Sequence, residues 1–433
     1  DYLAQAIRKG AAVCVVSKHV WVEGDVTVIR VRNTSEAMAW IARNYYGAPA
    51  EAMQMIGITG TKGKTTTACM LYQMLKEAGV KCGLIGTLGV RRSDGLKKPG
   101  SNTTPDALVL QKELREMADA GCSCCVMEVS SQGLKHYRVE GITFAIGIYT
   151  NLSMDHIGPG EHRSFREYAC CKKRLFERSR MICINADDKY HGFMTVNLEA
   201  PVYTYGIEQP CDVKAEHIVY ERSSRGLNVT YQTTGWIKDE IVLKMPGTAN
   251  VYNSLAAMEA AHLLGISPET IRKTLRNVSV KGRIEEVRIS DKFDVVIDYA
   301  HNAASLESLI KTLRQYQPKR LVLLFGCGGN RSPLRRFQMG ETAGRLSDVT
   351  ILTSDNPRYE KPEAILSDIE QGMKRTKGKY KIIPDRREAI SYAISQAQEG
   401  DLIVVAGKGR EEYQEIEGHF YPMNEREMIE NSI

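Results

Sequence analysis

The sequence predicts an α/β protein of three units, the middle one a mostly parallel, doubly wound sheet built around a phosphate-binding loop. Three observations predict it. Short apolar, β-branched runs alternate with helical patterns at the spacing of βαβ units along most of the chain. At residues 53–80 a strand, a glycine-rich turn and a helix follow one another as MQMIGITG, TKGK and TTTACMLYQMLKEAGV. The 433 residues also exceed what one core ordinarily holds, since domains run to about 100–200 residues.

The first unit, 1–50, reads as helix YLAQAIRKGA, strands AVCVVS and VTVIRV, and helix SEAMAWIARNYYG, ending near Pro49. The chain opens at Asp1 inside a helical pattern and without methionine, so a preceding segment is expected. The second unit, 51–281, continues past the glycine-rich turn with strand KCGLIGTLGV, helix DALVLQKELREMADAG, and strands CCVMEVS and FAIGIYTNL. Between 201 and 245 the texture changes to short polar and β-branched strands, VYTYGI, LNVTYQTT and EIVLKM, expected to be antiparallel. The helix after NVYNSLAAMEAAHLLG closes this unit. The third unit, 282–433, has strands DVVIDYA, RLVLLFG, VTILTSD, YKIIPD and LIVVAG. Its helices are ASLESLIKTLRQY, PEAILSDIEQGMK and DRREAISYAISQA. Several of these strands end in polar turns, where open α/β sheets place ligands.

Bulk composition narrows the function classes. Lys and Arg exceed Asp and Glu by 58 minus 52, a net +6 without basic runs. That argues against a nucleic-acid face and for anionic small molecules. No apolar run approaches the roughly 18 residues of a membrane span, and no signal-peptide pattern opens the chain; a cytoplasmic location is the expectation. The odd count of 11 cysteines, CSCC at 122–125 included, reads as reduced thiols used as small core residues, because no second pair stands at zinc-ribbon spacing.

The turn has the form GxxxxGK[ST], with Gly57, Gly63, Lys64 and Thr65 in register. Glycines let backbone N–H groups close on phosphate oxygens, Lys64 adds a full charge, and the Thr65 hydroxyl suits Mg²⁺. By itself this leaves GTPases, kinases and ATPases open. Downstream, Glu128 ends a strand, Asp155 and His156 follow in IYTNLSMDHIG, and YACCKKRLF spans 168–176. Singly, Glu128 reads equally well as a capping carboxylate and His156 as a loop histidine; together they suggest a phosphate site with a second hard-cation position.

GTKGKTTT, SNTTPD, EVSS, TNLSMDH, YACCKKRLF, MPGTANVYNSLAA, KGRIE, DYAH, FGCGGNR, TSDNPR and AGKGRE occur in this order. By their sequence and spacing the chain resembles the Mur ligases, the ATP-dependent amide-forming enzymes of bacterial peptidoglycan precursor synthesis. The resemblance runs over essentially the whole chain. It implies three domains: the remainder of a uridine-nucleotide domain, a central ATPase domain with added antiparallel strands, and a Rossmann-like amino-acid domain. It implies a monomer that uses ATP and Mg²⁺ and acts on small molecules, with no nucleic-acid or membrane partner. The implied reaction joins a third amino acid, meso-diaminopimelate by the DNPR motif, to UDP-MurNAc-L-Ala-D-Glu.

Residue by residue, the resemblance assigns the ATP phosphates to Gly60, Thr61, Lys62, Gly63, Lys64, Thr65 and Thr66, and further ATP contacts to Asn250, Arg283, Asp298 and His301. The metal positions fall to Thr65, Glu128, His156 and Lys172, and Lys172 aligns with a lysine the family carbamylates (N6-carboxylysine). Lys64, Lys172, His156 and Glu128 are the catalytic set. UDP-MurNAc-dipeptide is assigned to Thr103, Thr104, Ser130, His136 and Arg138. The incoming amino acid is assigned to Arg331, Asp355, Asn356, Arg358, Gly407 and Glu411; the planar fork of Arg358 suits a side-chain carboxylate. The chain departs from the family pattern at Lys62, Gln132, Pro159 with a displaced His162, Arg410, and the run SPLRRFQMG. Those departures keep three alternatives in view: addition of lysine or another amino acid, a folylpolyglutamate- or cyanophycin-type ligase, and an ATP-binding regulatory homologue.

Overall fold

A computed structural model describes residues 2–22, 25–98, 100, 102–158, 160–223 and 226–432. Pro159 and the first residue of SNTTPD lie outside the described residues. The chain packs as two units, one of residues 1–214, 234–237 and 252–274, the other of 215–233, 238–251 and 275–433.

In the first unit the central strand Gln54–Thr59 lies between Cys124–Glu128 and Phe144–Tyr149, parallel to both. Cys82–Gly86 extends the sheet on one side, and Ser179–Asn185 followed by Val202–Gly206 on the other, all parallel. Short antiparallel strands Gly89–Arg91 and Lys97–Lys98 close one edge. The interiors of Gln54–Thr59, Cys124–Glu128 and Phe144–Tyr149 are buried on both faces, as continuous apolar strands of a parallel sheet must be. Because the chain leaves Gln54–Thr59 toward one edge and later resumes beside it toward the other, the strand order reverses there. A doubly wound sheet opens its crevice at that point, beyond the carboxyl ends of the strands. The N-terminal pair Val13–Val16 and Thr27–Arg30 is parallel, followed by the helix Thr34–Tyr45, whose N-terminus is capped by the Asn33 side chain.

One expectation fails here. Val202–Gly206, VYTYGI in the sequence, is not antiparallel: Val202 pairs with Ile182 and Tyr205 with Val213, both in parallel ladders. The physical reason is the connection, since the helix His191–Thr195 intervenes between Ser179–Asn185 and Val202–Gly206 and a crossover of this kind returns a strand parallel. The antiparallel expectation holds for Gly226–Gly235 with Glu240–Leu243.

The second unit carries a six-stranded sheet in the order Glu285–Glu286, Asp294–Asp298, Asp401–Ala406, Arg320–Phe325, Val349–Leu352, Lys379–Ile382. All its pairings are parallel except the first. Its core includes Val295, Ile297, Leu324, Ile351, Ile403 and Val405, packed against Ala389, Ile390, Ala393, Met428 and Ile429. The hairpin Tyr413–Ile416 and His419–Pro422 and the helix Glu425–Glu430 follow the last sheet strand.

Candidate functional site

The loop after Gln54–Thr59 is shaped by its glycines. Gly60 has φ 152° and Gly63 φ 87°. A Cβ on Gly60 would lie 1.9 Å from Thr150 Oγ1, and one on Gly63 would lie 2.4 Å from Asn253 Oδ1, so both the backbone angles and the space demand glycine. Residues leaving the neighbouring strand hold the loop in place. Thr61 N donates to Asn151 O at 2.9 Å, Lys62 N to Asn151 Oδ1 at 3.0 Å, and Thr150 Oγ1 to Lys62 O at 2.6 Å. The helix Lys64–Glu77 then begins at Gly63 without a side-chain cap, leaving its first N–H groups and the positive end of its dipole directed at the loop.

Two lysines converge on one carbonyl of this loop. Lys64 Nζ donates to Gly60 O at 2.8 Å and to Thr61 O at 3.2 Å, and Lys172 Nζ donates to the same Gly60 O at 2.7 Å. Lys172, on the helix Phe165–Lys173, is 1% exposed and lies 4.6 Å from the centre of the Tyr168 ring. Burial, and after it the positive charge of Lys64, hold its amine well below the ordinary lysine range. The Tyr168 hydroxyl in turn meets Thr61 Oγ1 at 3.0 Å.

Glu128, at the end of its strand and buried, accepts from Thr65 Oγ1 at 2.9 Å, from Thr87 N at 2.7 Å and from Thr87 Oγ1 at 3.2 Å. Thr103 reaches the same cluster through Thr87 Oγ1 at 3.0 Å. Thr104 Oγ1 donates to Glu128 O and accepts from Ser130 N, each at 2.9 Å, while Arg138 Nη1 donates to Thr104 O at 2.9 Å. Thr65, Thr103, Thr104, Ser130 and Arg138 thus form one network with Glu128. His136 stands exposed at the end of the helix Ser131–Lys135. His156, at φ 55°, meets Glu161 Oε1 through Nδ1 at 3.0 Å, and Asp155 faces Lys62 at 3.8 Å. The displaced His162 is fully buried, its Nε2 2.9 Å from Ser131 Oγ, and burial lowers its pKa.

The second unit holds the remaining candidates. Asp298 accepts from Ile284 N and Ala300 N, each at 2.8 Å, and burial raises its carboxyl pKa while Arg283 opposes. Arg283 stacks over the Tyr299 ring at 5.4 Å, His301 Nδ1 meets Tyr299 O at 2.8 Å, and Asn250 donates to Pro246 O at 2.8 Å. Asn356 Nδ2 donates to Glu411 Oε2 at 2.8 Å. Asp355 lies beneath Gly407, where an added Cβ would sit 2.7 Å from Asp355 Oδ2. Arg358, at φ 52°, donates Nε to Glu415 Oε2 at 2.9 Å and Nη1 to Gly329 O at 2.8 Å. Arg331 is exposed.

Sequence reasoning passed over several of these partners. Asn253, Thr87, Asn151 and Tyr168 shape the loop or Glu128, and Lys408 and Glu415 order Asn356 and Arg358. Asn151, Tyr168, Asn253 and Lys408 had a signal, since all four stand inside the ordered motifs; Thr87 and Glu415 stand in none of them. Among the described residues no three His, Cys, Asp or Glu side chains converge as a metal site. The Thr65 hydroxyl and Glu128 carboxylate are a hard oxygen pair, fit for a cation that takes its other ligands from phosphate and water.

Comparison with known proteins adds an independent line. Residues 58–261 match the model of the Mur ligase middle domain, and residues 282–409 that of the Mur ligase glutamate ligase domain. The chain is 42% identical over 433 residues to a UDP-N-acetylmuramoyl-L-alanyl-D-glutamate--2,6-diaminopimelate ligase of Caldanaerobacter subterraneus subsp. tengcongensis, covering 100% of this chain and 89% of the relative. To the ligase of the same name from Geobacillus kaustophilus it is 39% identical over 446 residues, at the same coverages. A solved structure of a ligase of that name superimposes with a TM-score of 0.72 at 30% identity, covering 100% of this chain and 88% of that one.

Proposed function

The chain belongs to the Mur ligase family, and we propose that it is an ATP-dependent, ADP-forming amide ligase that adds meso-diaminopimelate to UDP-N-acetylmuramoyl-L-alanyl-D-glutamate in peptidoglycan precursor synthesis. The observation that carries the reading is the pair of lysines on Gly60 O, one of them buried with its amine pKa pushed well below the ordinary lysine range. A phosphate loop that only binds a nucleotide needs Lys64 alone.

In this reading Gly60, Thr61, Lys62, Gly63, Lys64, Thr65 and Thr66 surround the ATP phosphates, with Asn250, Arg283, Asp298 and His301 as further ATP contacts. Thr65 and Glu128 would hold Mg²⁺, with His156 and Lys172 for a second ion; bound there, Mg²⁺ would supply positive charge to neutralise the phosphates. Lys172 supports this role chemically, because burial and the charge of Lys64 shift its amine toward the neutral form, the form that adds to CO₂: its lone pair forms the N–C bond, a proton leaves, and an anionic carbamate results. Lys64 and the helix N-terminus stabilise charge on the transferring phosphoryl group. A substrate carboxylate oxygen attacks the γ-phosphorus and ADP departs, leaving an acyl phosphate. The amine of the incoming amino acid attacks the acyl carbon, phosphate departs and the amine proton is released. Thr103, Thr104, Ser130, His136 and Arg138 bind the UDP-MurNAc-dipeptide, and Arg331, Asp355, Asn356, Arg358, Gly407 and Glu411 the amino acid.

The domain reading that goes with this is residues 1–50 for the remainder of a uridine-nucleotide domain, 51–281 for the ATPase domain and 282–433 for the amino-acid domain. We further propose a monomer in the bacterial cytoplasm. No helix among the described residues is long and apolar enough to cross a membrane.

The test is phosphate release by the full chain with ATP, Mg²⁺, UDP-MurNAc-L-Ala-D-Glu and each candidate amino acid in turn. Release dependent on meso-diaminopimelate is expected. Preference for lysine would correct the amino acid, and no amino-acid-dependent release with any candidate would overturn the ligase reading. Lys172→Ala should lose most activity and regain part of it with short carboxylic acids; parental rates would refute the carbamate.

A further inference from the structure

Lys408 is completely buried in the turn that leaves the strand Asp401–Ala406, yet its end group is not packed for apolar contact. Its Nζ donates to Asn356 Oδ1 at 2.8 Å and stands 3.6 Å from Glu411 Oε2. Asn356 Oδ1 also accepts from Glu415 N at 3.0 Å, and Asn356 Nδ2 donates to Glu411 Oε2 at 2.8 Å. A lysine only donates, so the amide oxygen must face it and the amide cannot flip. Glu411 is held between the Asn356 amide and the Lys408 ammonium.

A second buried cation supports the backbone on which these groups stand. Arg386 Nε donates to Glu425 Oε1 at 2.6 Å, Nη1 to Ser354 O at 3.0 Å and Nη2 to Ala406 O at 2.8 Å. The strands Val349–Leu352 and Asp401–Ala406 are not neighbours, because Arg320–Phe325 lies between them. The guanidinium fork therefore ties two carbonyls across an intervening strand, fixing the chain just before Asp355 and just before Gly407. Burying charges costs several kcal/mol per ion before pairing is counted, and apolar replacements of such groups are often as stable. Burial lowers the Lys408 pKa, Asp355 opposes that, Arg386 lowers it further, and Glu411 and Glu425 oppose. A buried cation at this location is poor stabilisation, and both its hydrogen-bond partner Asn356 and its ion-pair neighbour Glu411 are candidate substrate contacts.

We propose that Lys408 is a positioning residue for the incoming amino acid, locking the Asn356 amide and the Glu411 carboxylate in the orientation that meets the amino acid's polar groups. The inference rests on the assignment of Asn356 and Glu411 to that substrate. It is tested on the full chain with Lys408→Met, which keeps volume but removes the donor, and Lys408→Gln, which keeps a donor. ATP, UDP-MurNAc-L-Ala-D-Glu and meso-diaminopimelate are varied in turn in the phosphate-release assay, and ATP affinity is titrated separately. We expect Lys408→Met to raise the amino-acid KM at least tenfold with the ATP KM within twofold of the parent, and Lys408→Gln to recover part of the loss. Should Lys408→Met not fold, Lys408→Gln carries the same KM split. A parental amino-acid KM overturns the role, and so does a rise of all three KM values together with weakened ATP binding, which marks a purely structural residue. Failure of the wild type to release phosphate with any amino acid overturns the ligase reading and this inference with it, and is recognised because it appears before any substitution.

Discussion

Glu259 gives a sharp physical test of the first unit. It lies on the helix Thr248–Leu263 at 1% exposure, and its Oε2 accepts from Trp236 Nε1 at 2.6 Å. The indole is stacked on the His262 ring at 3.9 Å with 6° between the planes. Burial pushes the Glu259 carboxyl from 4.5 up to about 7; the Trp236 hydrogen bond opposes this and Asp212 adds to it. At about 1.4 kcal/mol per pH unit, that difference corresponds to roughly 3 kcal/mol. The sign follows from proton counting: between pH 4.5 and 7 the folded state keeps a proton that the unfolded state has released. Stability is therefore full below pH 4.5, falls as the pH rises, and has lost the whole contribution above 7. Glu259→Gln keeps an acceptor for Trp236 Nε1 and removes the charge. Urea denaturation of both proteins at pH 5 and pH 8.5, followed by circular dichroism, should give the parent a loss on raising the pH that exceeds the variant's by about 2–3 kcal/mol. Equal pH dependence in the two proteins would refute the claim that burial holds the proton on Glu259.

Other expectations follow from the same geometry. Gly63→Ala should abolish ATP binding in a calorimetric titration, because a φ of 87° adds about 1–3 kcal/mol of strain and the new Cβ meets Asn253 Oδ1; retained binding would refute the shape argument. Lys172→Met should inactivate the enzyme yet melt at a higher temperature at pH 7. The depressed lysine pKa means that unfolding takes up a proton, so the parent loses stability as the pH falls and the variant should not; identical melting curves across pH would contradict it. Arg358→Ala should raise the amino-acid KM roughly tenfold or more, from about 1.5–3 kcal/mol for a charge-assisted bond, and leave the ATP KM alone. Leu324→Ala, at a fully buried position, should cost about 2–5 kcal/mol in denaturant unfolding.

The phosphate loop was legible because its requirements are local. Gly60, Gly63, Lys64 and Thr65 lie within one turn, and the strand before and helix after follow from short-range periodicity. Glu128 was legible in part, as a carboxylate at the end of a strand, although its partners Thr65 and Thr87 lie far away in sequence. VYTYGI was misread because β-branched polar strands look alike whichever way they pair, and the direction is set by the crossover preceding them. The ionic pair Arg386–Glu425 carried no readable pattern, and AGKGRE marked Lys408 as part of a motif without showing its burial, since charged residues in polar turns are ordinarily solvated.

The sequence by itself determined the α/β rhythm, the phosphate loop and the order of its motifs, all properties of neighbouring residues and their spacing. Only the tertiary structure decided that Lys172 reaches Gly60 O across 112 positions, that burial lowers its amine pKa, and that Lys408 holds Asn356. The reason is that desolvation and hydrogen-bond geometry are set by what surrounds an atom in space. The chain's chemistry is listed in its sequence, but its protonation states and orientations arise from burial.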